Sequence, residues 1–294
     1  MKLQITESPR DAMQGLHDYI PAQLKADYIN CLLNVGFDII DMGSFVSEKA
    51  IPQLKDTAEV LGKLNLSDTI SEIMVLVANE KGIETATSFD EVSWLAFPFS
   101  ASPSFLKLNI NADNQKALKL IELANKRCLQ NNNKLKVYIT MAFGNPYGDV
   151  YNDTILFGNV YKLYSMGVRF ITLSDNTGVA TPQQISNIYT FLIRALPDIE
   201  FGIHLHTTSN TYYEKLEAAY SSGCRSFDAV INGMGGCPMT GYELLSNLNT
   251  LDLIDFSHKN NIKTNINNDA LGEAVKMNIK LFQSPAKTSL INSN

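Results

Sequence analysis

The sequence contains few of the residue types that most often bind metals or form cross-links. It holds four histidines, four cysteines and one tryptophan in 294 residues. No two cysteines stand in a CxxC pair, which argues against a zinc knuckle and against a disulfide framework. No apolar run approaches the roughly 20 residues that a membrane-spanning helix needs. We therefore expect a chain that does not enter a membrane.

Basic residues are also in the minority. Lysine and arginine number 24 against 30 aspartates and glutamates, which gives a net charge of −6. A negative chain is a poor partner for nucleic acid, so none is expected. The first residues show no signal-peptide pattern, which indicates a cytoplasmic protein. The length and the 45% content of hydrophobic residues suffice for one large domain or two small ones.

One pattern recurs along the chain: an amphipathic helix, a glycine, and then a strand-like segment that ends in a polar residue. Gly36, Gly167 and Gly223 each stand between such a helix and such a strand. A glycine just past a helix supplies the left-handed conformation that ends the helix, so each repeat is predicted as helix, cap and strand. Eight strands are predicted, at residues 3–7, 37–41, 73–78, 92–97, 135–143, 168–175, 199–206 and 226–232.

Eight strands that alternate with helices in a chain of this length predict an α/β fold of the TIM (β/α)8 barrel type. The alternative is a doubly wound sheet, which carries a glycine-rich first turn, whereas the first turn here is Ser8-Pro9-Arg10-Asp11. We predict that residues 1–258 form the barrel. Residues 259–294 are predicted to form a C-terminal helical extension and a polar tail packed on it.

Two of the four histidines, His204 and His206, end the seventh predicted strand. Side chains alternate between the two faces of a strand, so both imidazoles point the same way, while Ile203 and Leu205 point the other way. Histidine is a frequent metal ligand, and two on one strand face predict part of a metal site.

In a TIM barrel the active site lies at the carboxyl ends of the strands, so the residues found there are candidates for function. A single aspartate after a strand usually caps the next helix. Here, however, acids, imidazoles and an arginine are predicted to share one rim: Arg10, Asp11, Asp41, Asp175, Asn176, His204, His206 and residues 232–237.

Two imidazoles with a carboxylate and a carbonyl oxygen suit a divalent ion held octahedrally, whereas a closed structural zinc site would require thiolates. Arg10 is permanently charged and is suited to hold a carboxylate or a developing enolate oxygen. Cys237 lies between glycines and a proline. It is either a mobile proton donor or acceptor, or a small turn residue.

Several short segments carry a family resemblance. Residues 9–14 resemble the motif PRDGLQ, residues 44–53 resemble SFVSPKxxPQ, and residues 107–111 resemble KKNIN. The histidine pair, the segment 175–182 and the sequence Gly235-Gly236-Cys237-Pro238 follow in the same order. Together they resemble the 3-hydroxy-3-methylglutaryl-CoA lyases of the DRE-TIM metallolyase superfamily, and the GGCP sequence is the most discriminating of the motifs.

The resemblance implies a site and a reaction. Asp11, His204, His206 and Asn247 would hold Mg²⁺ or Mn²⁺. Arg10 would stabilise the enolate of the leaving acetyl-CoA, and Cys237 with His204 would serve its protonation. The implied reaction is a retro-Claisen cleavage of 3-hydroxy-3-methylglutaryl-CoA to acetoacetate and acetyl-CoA. The base is either Asp11 or a metal-bound hydroxide.

The resemblance also implies an acyl-CoA substrate, a homodimer and further site residues. Gln14, Asn109 and Asp175 lie in the matched motifs and are expected to contact substrate together with Arg10. Asp41 stands where the superfamily signature has a glutamate, so it keeps the charge and loses one methylene of reach.

Other departures from the family pattern leave two alternatives open. Ala12 replaces a glycine after the Arg-Asp pair, and Thr207 replaces an aspartate after the second histidine. One alternative is a metal-binding barrel that has lost catalysis. The other is a Claisen-condensing synthase of the same superfamily, against which the GGCP sequence argues.

Overall fold

The computed structural model describes residues 2–16, 18–235 and 246–282. Its central feature is a closed barrel of eight parallel strands, in which the last strand pairs with the first. The strands are β1 Gln4–Glu7, β2 Ile39–Ser44, β3 Glu72–Leu76, β4 Val92–Ser100, β5 Lys134–Thr140, β6 Phe170–Asp175, β7 Glu200–Thr207 and β8 Ser226–Ala229. The predicted TIM barrel is confirmed.

Helices follow the strands and surround the barrel. They are α1 Pro9–Gln14, α2 Ala22–Leu33, α3 Thr57–Leu61, α4 Glu80–Ala86, α5 Pro103–Ile110, α6 Asn114–Asn131, α7 Asp153–Ser165, α8 Pro182–Ala195, α9 Tyr212–Ser221, α10 Thr250–Lys259 and α11 Asn268–Phe282. Short 3₁₀ turns occupy Pro52–Leu54 and Ile231–Gly233. Within the described ranges, no helix is both long and apolar enough to cross a membrane.

The glycines of the repeated pattern adopt the predicted left-handed conformation. Gly36 has φ +89° and Gly223 has φ +101°. A Cβ on Gly36 would lie 2.5 Å from the carbonyl oxygen of Asn265, so the turn also brings two backbones close together. Glycine is needed there for space as well as for conformation.

The end of the second strand was predicted wrongly. β2 continues to Ser44, three residues past Asp41, and a register shift against β3 falls between Asp41 and Gly43. Such an irregularity changes the direction in which a strand presents its side chains. Asp41 therefore lies inside the strand, fully buried, instead of at its end.

A short strand that the sequence did not predict lies next to the histidines. Strand β9, Ser246–Asn247, pairs antiparallel with β7, and Asn247 is the direct partner of His206. Through this pairing, the chain that follows the eighth strand lies again at the rim of the barrel, beside the end of β7. It fixes Asn247 beside the second histidine.

The predicted C-terminal extension corresponds in part to α11, which packs against α2. The rings of Tyr28 and Phe282 meet edge to face at 6.0 Å, and the Asn278 amide donates a hydrogen bond to the Tyr28 hydroxyl. The domain boundary at residue 258 stays a prediction, and the polar tail falls outside the described residues.

Candidate active site

A cavity of about 600 Å³ opens at the carboxyl ends of the strands. Its wall combines polar groups with an extended apolar surface. The polar lining includes Arg10, Asp11, Gln14, Asn79, Asn109, Asn176, His204 and His206, and the apolar lining includes Val46, Ile51, Leu76, Phe105, Leu108 and Leu120. A concave, largely apolar cavity with a few convergent polar groups is the usual form of a ligand site.

Arg10 is the centre of a buried ion-pair cluster. Helix α1 begins immediately after β1, with a proline in its first turn, and this turns Arg10 and Asp11 into the mouth of the barrel. Arg10 Nε and Nη2 donate to Asp41 Oδ2 at 3.0 and 2.6 Å, and Nη1 donates to Asp11 Oδ1 at 3.0 Å. The structure therefore brings these three predicted residues together.

Gln14, one turn further along α1, forms hydrogen bonds with the same cluster. Its Oε1 accepts a hydrogen bond from Arg10 Nη1 at 2.9 Å, and its Nε2 donates to Asp11 Oδ1 at 2.5 Å. With these contacts and those to Asp41, the guanidinium is held in one orientation. Such charge-assisted hydrogen bonds are the stronger ones in proteins.

The two carboxyl groups next to Arg10 differ in their ionisation. Burial acts to raise the pKa of Asp11, but Arg10 and His204 outweigh it and the pKa is lowered. Burial dominates at Asp41, whose pKa is raised in spite of Arg10. Asp41 Oδ1 is also buried without a hydrogen bond. Asp11 is thus the carboxylate of the pair that remains firmly anionic.

The two histidines face the same cavity, as the strand alternation predicted. Their ring centroids are 5.4 Å apart, and His204 Nε2 lies 4.0 Å from Asp11 Oδ2. His206 is 2% exposed. The strand therefore presents two imidazoles beside an anionic carboxylate.

Asn247 completes this group. Its Nδ2 donates to Asp11 Oδ2 and to the carbonyl oxygen of Met234, both at 2.8 Å, while its Oδ1 is buried without a hydrogen-bond partner. The pairing of β9 with β7 holds the amide in place. All four side chains that the resemblance implies as metal ligands thus meet at one point.

The donor set fits a divalent cation in its chemistry, since imidazole nitrogens, a carboxylate and an amide oxygen are all suitable ligands. Donor atoms around one Mg²⁺-sized ion lie roughly 3–4 Å apart, since each is about 2.1 Å from the metal. The 4.0 Å separation of His204 Nε2 from Asp11 Oδ2 falls in this range, and Asn247 Oδ1 is buried without a hydrogen-bond partner in the described part of the chain. Across the described ranges, no three His, Cys, Asp or Glu side chains already stand in metal-binding geometry. Small side-chain rotations would therefore accompany binding.

Asp175 does not reach the cavity, although its neighbours Ser174 and Asn176 line it. Its carboxylate accepts hydrogen bonds from Lys215 Nζ and from the backbone amides of Val179 and Ala180, each at 2.9–3.0 Å. The strand alternation points Asp175 outward, where it fixes the loop before α8. The structure supports a role in shaping the loop instead of the expected substrate contact. Asn109 and Gln14, by contrast, do line the cavity.

Cys237 lies outside the described residues. The described segment before it reaches Gly235, which has φ +84°. A Cβ there would lie 2.5 Å from the Asp11 carbonyl oxygen. The GGCP segment therefore begins directly against the residue that carries the site's carboxylate.

Several polar residues inside the barrel were not predicted as part of the site. Asp228 on β8, Lys136 and Tyr138 on β5, and Ser174 on β6 all point inward near the histidines or line the cavity. The signal was present as polar residues at every second position of a strand, for example Lys136, Tyr138 and Thr140.

The fold and this site define an α/β-barrel protein with a carboxylate–imidazole–amide cluster in a ligand cavity. A family model described as HMGL-like matches residues 2–277. The chain belongs to the HMGL-like family.

Its relatives include hydroxymethylglutaryl-CoA lyases. The enzyme of Bacillus subtilis is 28% identical over 277 residues, which cover 94% of this chain and 91% of that protein. The cytoplasmic enzyme of Rattus norvegicus is 30% identical over 230 residues, covering 78% of this chain and 66% of that protein.

Solved structures give the same result. An HMG-CoA lyase from Acinetobacter baumannii, in complex with coenzyme A and 3-methylmalate, matches with a TM-score of 0.88 at 29% identity, over 100% of this chain and 96% of that one. The carboxyl transferase domain of Rhizobium etli pyruvate carboxylase matches at 13% identity with a TM-score of 0.69, which shows a shared fold alone.

Proposed function

We propose that this protein is a divalent-metal-dependent carbon–carbon lyase that cleaves 3-hydroxy-3-methylglutaryl-CoA to acetoacetate and acetyl-CoA. The observation that carries the proposal is the convergence of Arg10, Asp11, His204 and His206 on one cavity of a barrel from the HMGL-like family, with Asn247 hydrogen-bonded to Asp11.

Asp11, His204, His206 and Asn247 would hold the cation, Mg²⁺ or Mn²⁺. When bound, it would supply Lewis-acid polarisation of substrate oxygens. Imidazole, carboxylate and amide-oxygen ligands suit such an ion, and no thiolate lies among the described members of the cluster. The family and the donor set support this assignment.

Arg10 is proposed to stabilise the negative charge that develops when the C2–C3 bond breaks. The electron pair of that bond passes to the acetyl-CoA fragment as an enolate, while the C3 hydroxyl loses its proton and becomes the ketone of acetoacetate. A guanidinium already oriented by Asp41, Asp11 and Gln14 needs no rearrangement at this moment. Preorganised charge of this kind lowers a barrier by several kcal/mol.

Two proton transfers complete the reaction. Asp11 is proposed to accept the hydroxyl proton. Its lowered pKa makes it a weak base, so the transfer requires a hydroxyl that nearby positive charge has acidified. Cys237, with His204, is proposed to protonate the enolate carbon. Gly235, two residues before Cys237 in the sequence, lies directly against the Asp11 backbone.

The acyl-CoA assignment rests on the cavity and on the relatives. A volume of about 600 Å³ with both apolar and polar walls suits a branched acyl group with a carboxylate and a thioester arm. The Acinetobacter relative binds coenzyme A, and its second ligand, 3-methylmalate, is a branched hydroxy diacid. Gln14 and Asn109 are proposed to contact the substrate. A homodimer and a cytoplasmic location are further parts of the proposal.

The proposal is tested by incubating the purified protein with 3-hydroxy-3-methylglutaryl-CoA and following acetoacetate. Formation is expected with Mg²⁺ or Mn²⁺, with loss on chelation and recovery when metal is restored. No metal-dependent acetoacetate would overturn the lyase assignment. Thiol release from acetyl-CoA with a 2-oxo acid would indicate a condensing synthase instead.

A further inference from the structure

We propose that Asp228 is a positioning residue for His204: its carboxylate accepts a hydrogen bond from the Nδ1–H group of the imidazole and so directs Nε2 toward Asp11 and the cavity. The inference deepens the proposed function, because it concerns a side chain assigned there as a metal ligand. It rests on the contacts that Asp228 makes inside the barrel.

The strand register brings the two residues together. His204 on β7 and Asp228 on β8 are direct partners across parallel strands, and both side chains point into the barrel. Asp228 Oδ2 lies 3.5 Å from His204 Nδ1, while His204 Nε2 lies 4.0 Å from Asp11 Oδ2. The two ring nitrogens therefore face two different carboxylates: Nδ1 faces Asp228 inside the barrel, and Nε2 faces Asp11 at the cavity.

The Asp228 carboxylate is buried, and its contacts to neighbouring groups are long. The residue is 1% exposed, and neither oxygen makes a hydrogen bond of ordinary length within the part of the chain described. Lys136 Nζ, also buried, lies 3.8 Å from Asp228 Oδ1 and balances its charge. Burial acts against ionisation, but Lys136 and His204 outweigh it and lower the pKa of Asp228.

A buried carboxylate without a donor is costly unless a neighbour supplies one. Lys136 already donates to the Thr6 hydroxyl at 3.1 Å, which anchors it on the far side of the barrel interior. The Tyr138 hydroxyl and the His204 imidazole are the donors that remain for Asp228. A shift of a few tenths of an ångström would close the 3.5 Å imidazole contact to an ordinary hydrogen bond.

This contact decides which ring nitrogen can bind metal. A neutral imidazole carries one N–H, so placing it on Nδ1 leaves the lone pair on Nε2. Histidine ligands commonly have the other ring nitrogen fixed by a carboxylate, and loss of that partner costs about 10–100-fold in metal affinity or activity. Asp228 would thus set both the tautomer and the direction of His204.

The first test uses the wild-type protein. Because the chain has only four histidines, ¹⁵N-histidine labelling gives four sets of ring signals, and His204→Gln identifies those of His204. In metal-free protein, at a pH where the ring is neutral, the Nδ1–H tautomer is expected. A predominant Nε2–H tautomer would overturn the proposal, and no Asp228 variant needs to fold for this result.

The second test measures Mn²⁺ affinity by electron paramagnetic resonance. Asp228→Asn keeps the shape of the side chain, but Lys136 attracts the amide oxygen and turns the NH₂ group toward His204, which favours the wrong tautomer. We expect about 10–100-fold weaker Mn²⁺ binding and a shift toward the Nε2–H tautomer. Unchanged affinity and tautomer would contradict the proposal.

Asp56→Asn is the matched control. Asp56 is also a buried carboxylate paired with a buried lysine, Lys25 at 2.6 Å, but it does not line the cavity. This variant is expected to lose stability with unchanged Mn²⁺ affinity. Neither readout requires turnover, so a protein with the expected tautomer but no lyase activity would refute the proposed reaction and leave the role of Asp228 standing.

Discussion

Arg10 donates two hydrogen bonds to a single oxygen of Asp41, from Nε at 3.0 Å and from Nη2 at 2.6 Å. The other oxygen, Oδ1, is buried and unpaired. A longer carboxylate would reach further along the guanidinium, so the aspartate at this position gives a compact, one-oxygen contact. The orientation of the Arg10 guanidinium depends on this contact with Asp41 Oδ2.

Asp41→Asn is expected to lower kcat by about 10–100-fold, since the hydrogen bonds from Arg10 to Asp41 orient the guanidinium that is proposed to stabilise the enolate. KM should change less, because Arg10 keeps its contacts to Asp11 and Gln14. Steady-state kinetics with 3-hydroxy-3-methylglutaryl-CoA measure both values. Asp255→Asn, which removes a surface partner of Lys259, serves as the control. Equal kcat in wild type and Asp41→Asn would remove Asp41 from the account.

Cys237→Ser is expected to slow turnover by at least tenfold while leaving Mn²⁺ affinity unchanged. The hydroxyl is a far weaker acid than the thiol, so protonation of the enolate would be impaired, whereas none of the four proposed ligands is altered. Cys128→Ser is the control, because that thiol is buried between α6 and the barrel. An unaltered rate in Cys237→Ser would show that the cysteine takes no part.

Asn278 lies on α11 and does not line the cavity. Asn278→Leu is nevertheless expected to weaken Mn²⁺ binding several-fold. Asn278 Oδ1 accepts a hydrogen bond from Asn232, which has φ +61° and leads into Met234, whose carbonyl holds Asn247. Leucine removes this restraint and leaves buried polar groups unpaired, which costs about 1–3 kcal/mol in unfolding free energy.

The matched control for this change is Asn125→Leu. The Asn125 amide on α6 also anchors a loop, by donating to the carbonyl oxygen of Met166, away from the cavity. It should lower stability in urea and leave Mn²⁺ affinity as in wild type. If both variants bind Mn²⁺ like wild type, α11 does not support the site.

Glu7 is expected to make stability depend on pH. Burial raises its pKa from 4.5 to about 8, against the hydrogen bonds from Thr250 and the Ile231 amide. Between these two values the folded state holds a proton that the unfolded chain has lost. Stability should therefore fall as pH rises through this window, by up to about 1.4 kcal/mol per pH unit.

Urea unfolding at pH 5 and pH 8 measures this effect. Glu7→Gln should show a smaller loss of stability between the two pH values than wild type, because its amide does not titrate. Glu59→Gln changes an exposed glutamate and should behave like wild type. A Glu7→Gln protein with the same pH dependence as wild type would show that Glu7 is ionised in the fold.

Much of the barrel and half of the cluster could be predicted from local pattern. The glycine after each helix and the apolar strands defined the repeat, and strand alternation placed His204 and His206 on one face. The pairs Arg10 with Asp41 and Asn247 with Asp11 join positions 31 and 236 residues apart. The barrel prediction placed Arg10, Asp11 and Asp41 on one rim, and the family resemblance added Asn247.

What could not be predicted has physical causes. β2 has a register irregularity and continues past Asp41, so Asp41 lies inside the strand. Asp175 lies on the outward face of β6, where its carboxylate binds Lys215. Strand β9 has two residues, too few for a periodic signal. Asp228 was missed because a lone aspartate in a short apolar strand gives no sign of the histidine on the neighbouring strand.

The most direct test of the central claim compares wild type with Arg10→Met in one assay of acetoacetate and acetyl-CoA formed from 3-hydroxy-3-methylglutaryl-CoA with Mg²⁺. The surface change Arg127→Met is the control. Wild type and the control should release the two products in equal amounts, and Arg10→Met should be slower by about 10²–10³-fold. Equal rates in wild type and Arg10→Met, or no acetoacetate from wild type, would contradict the account.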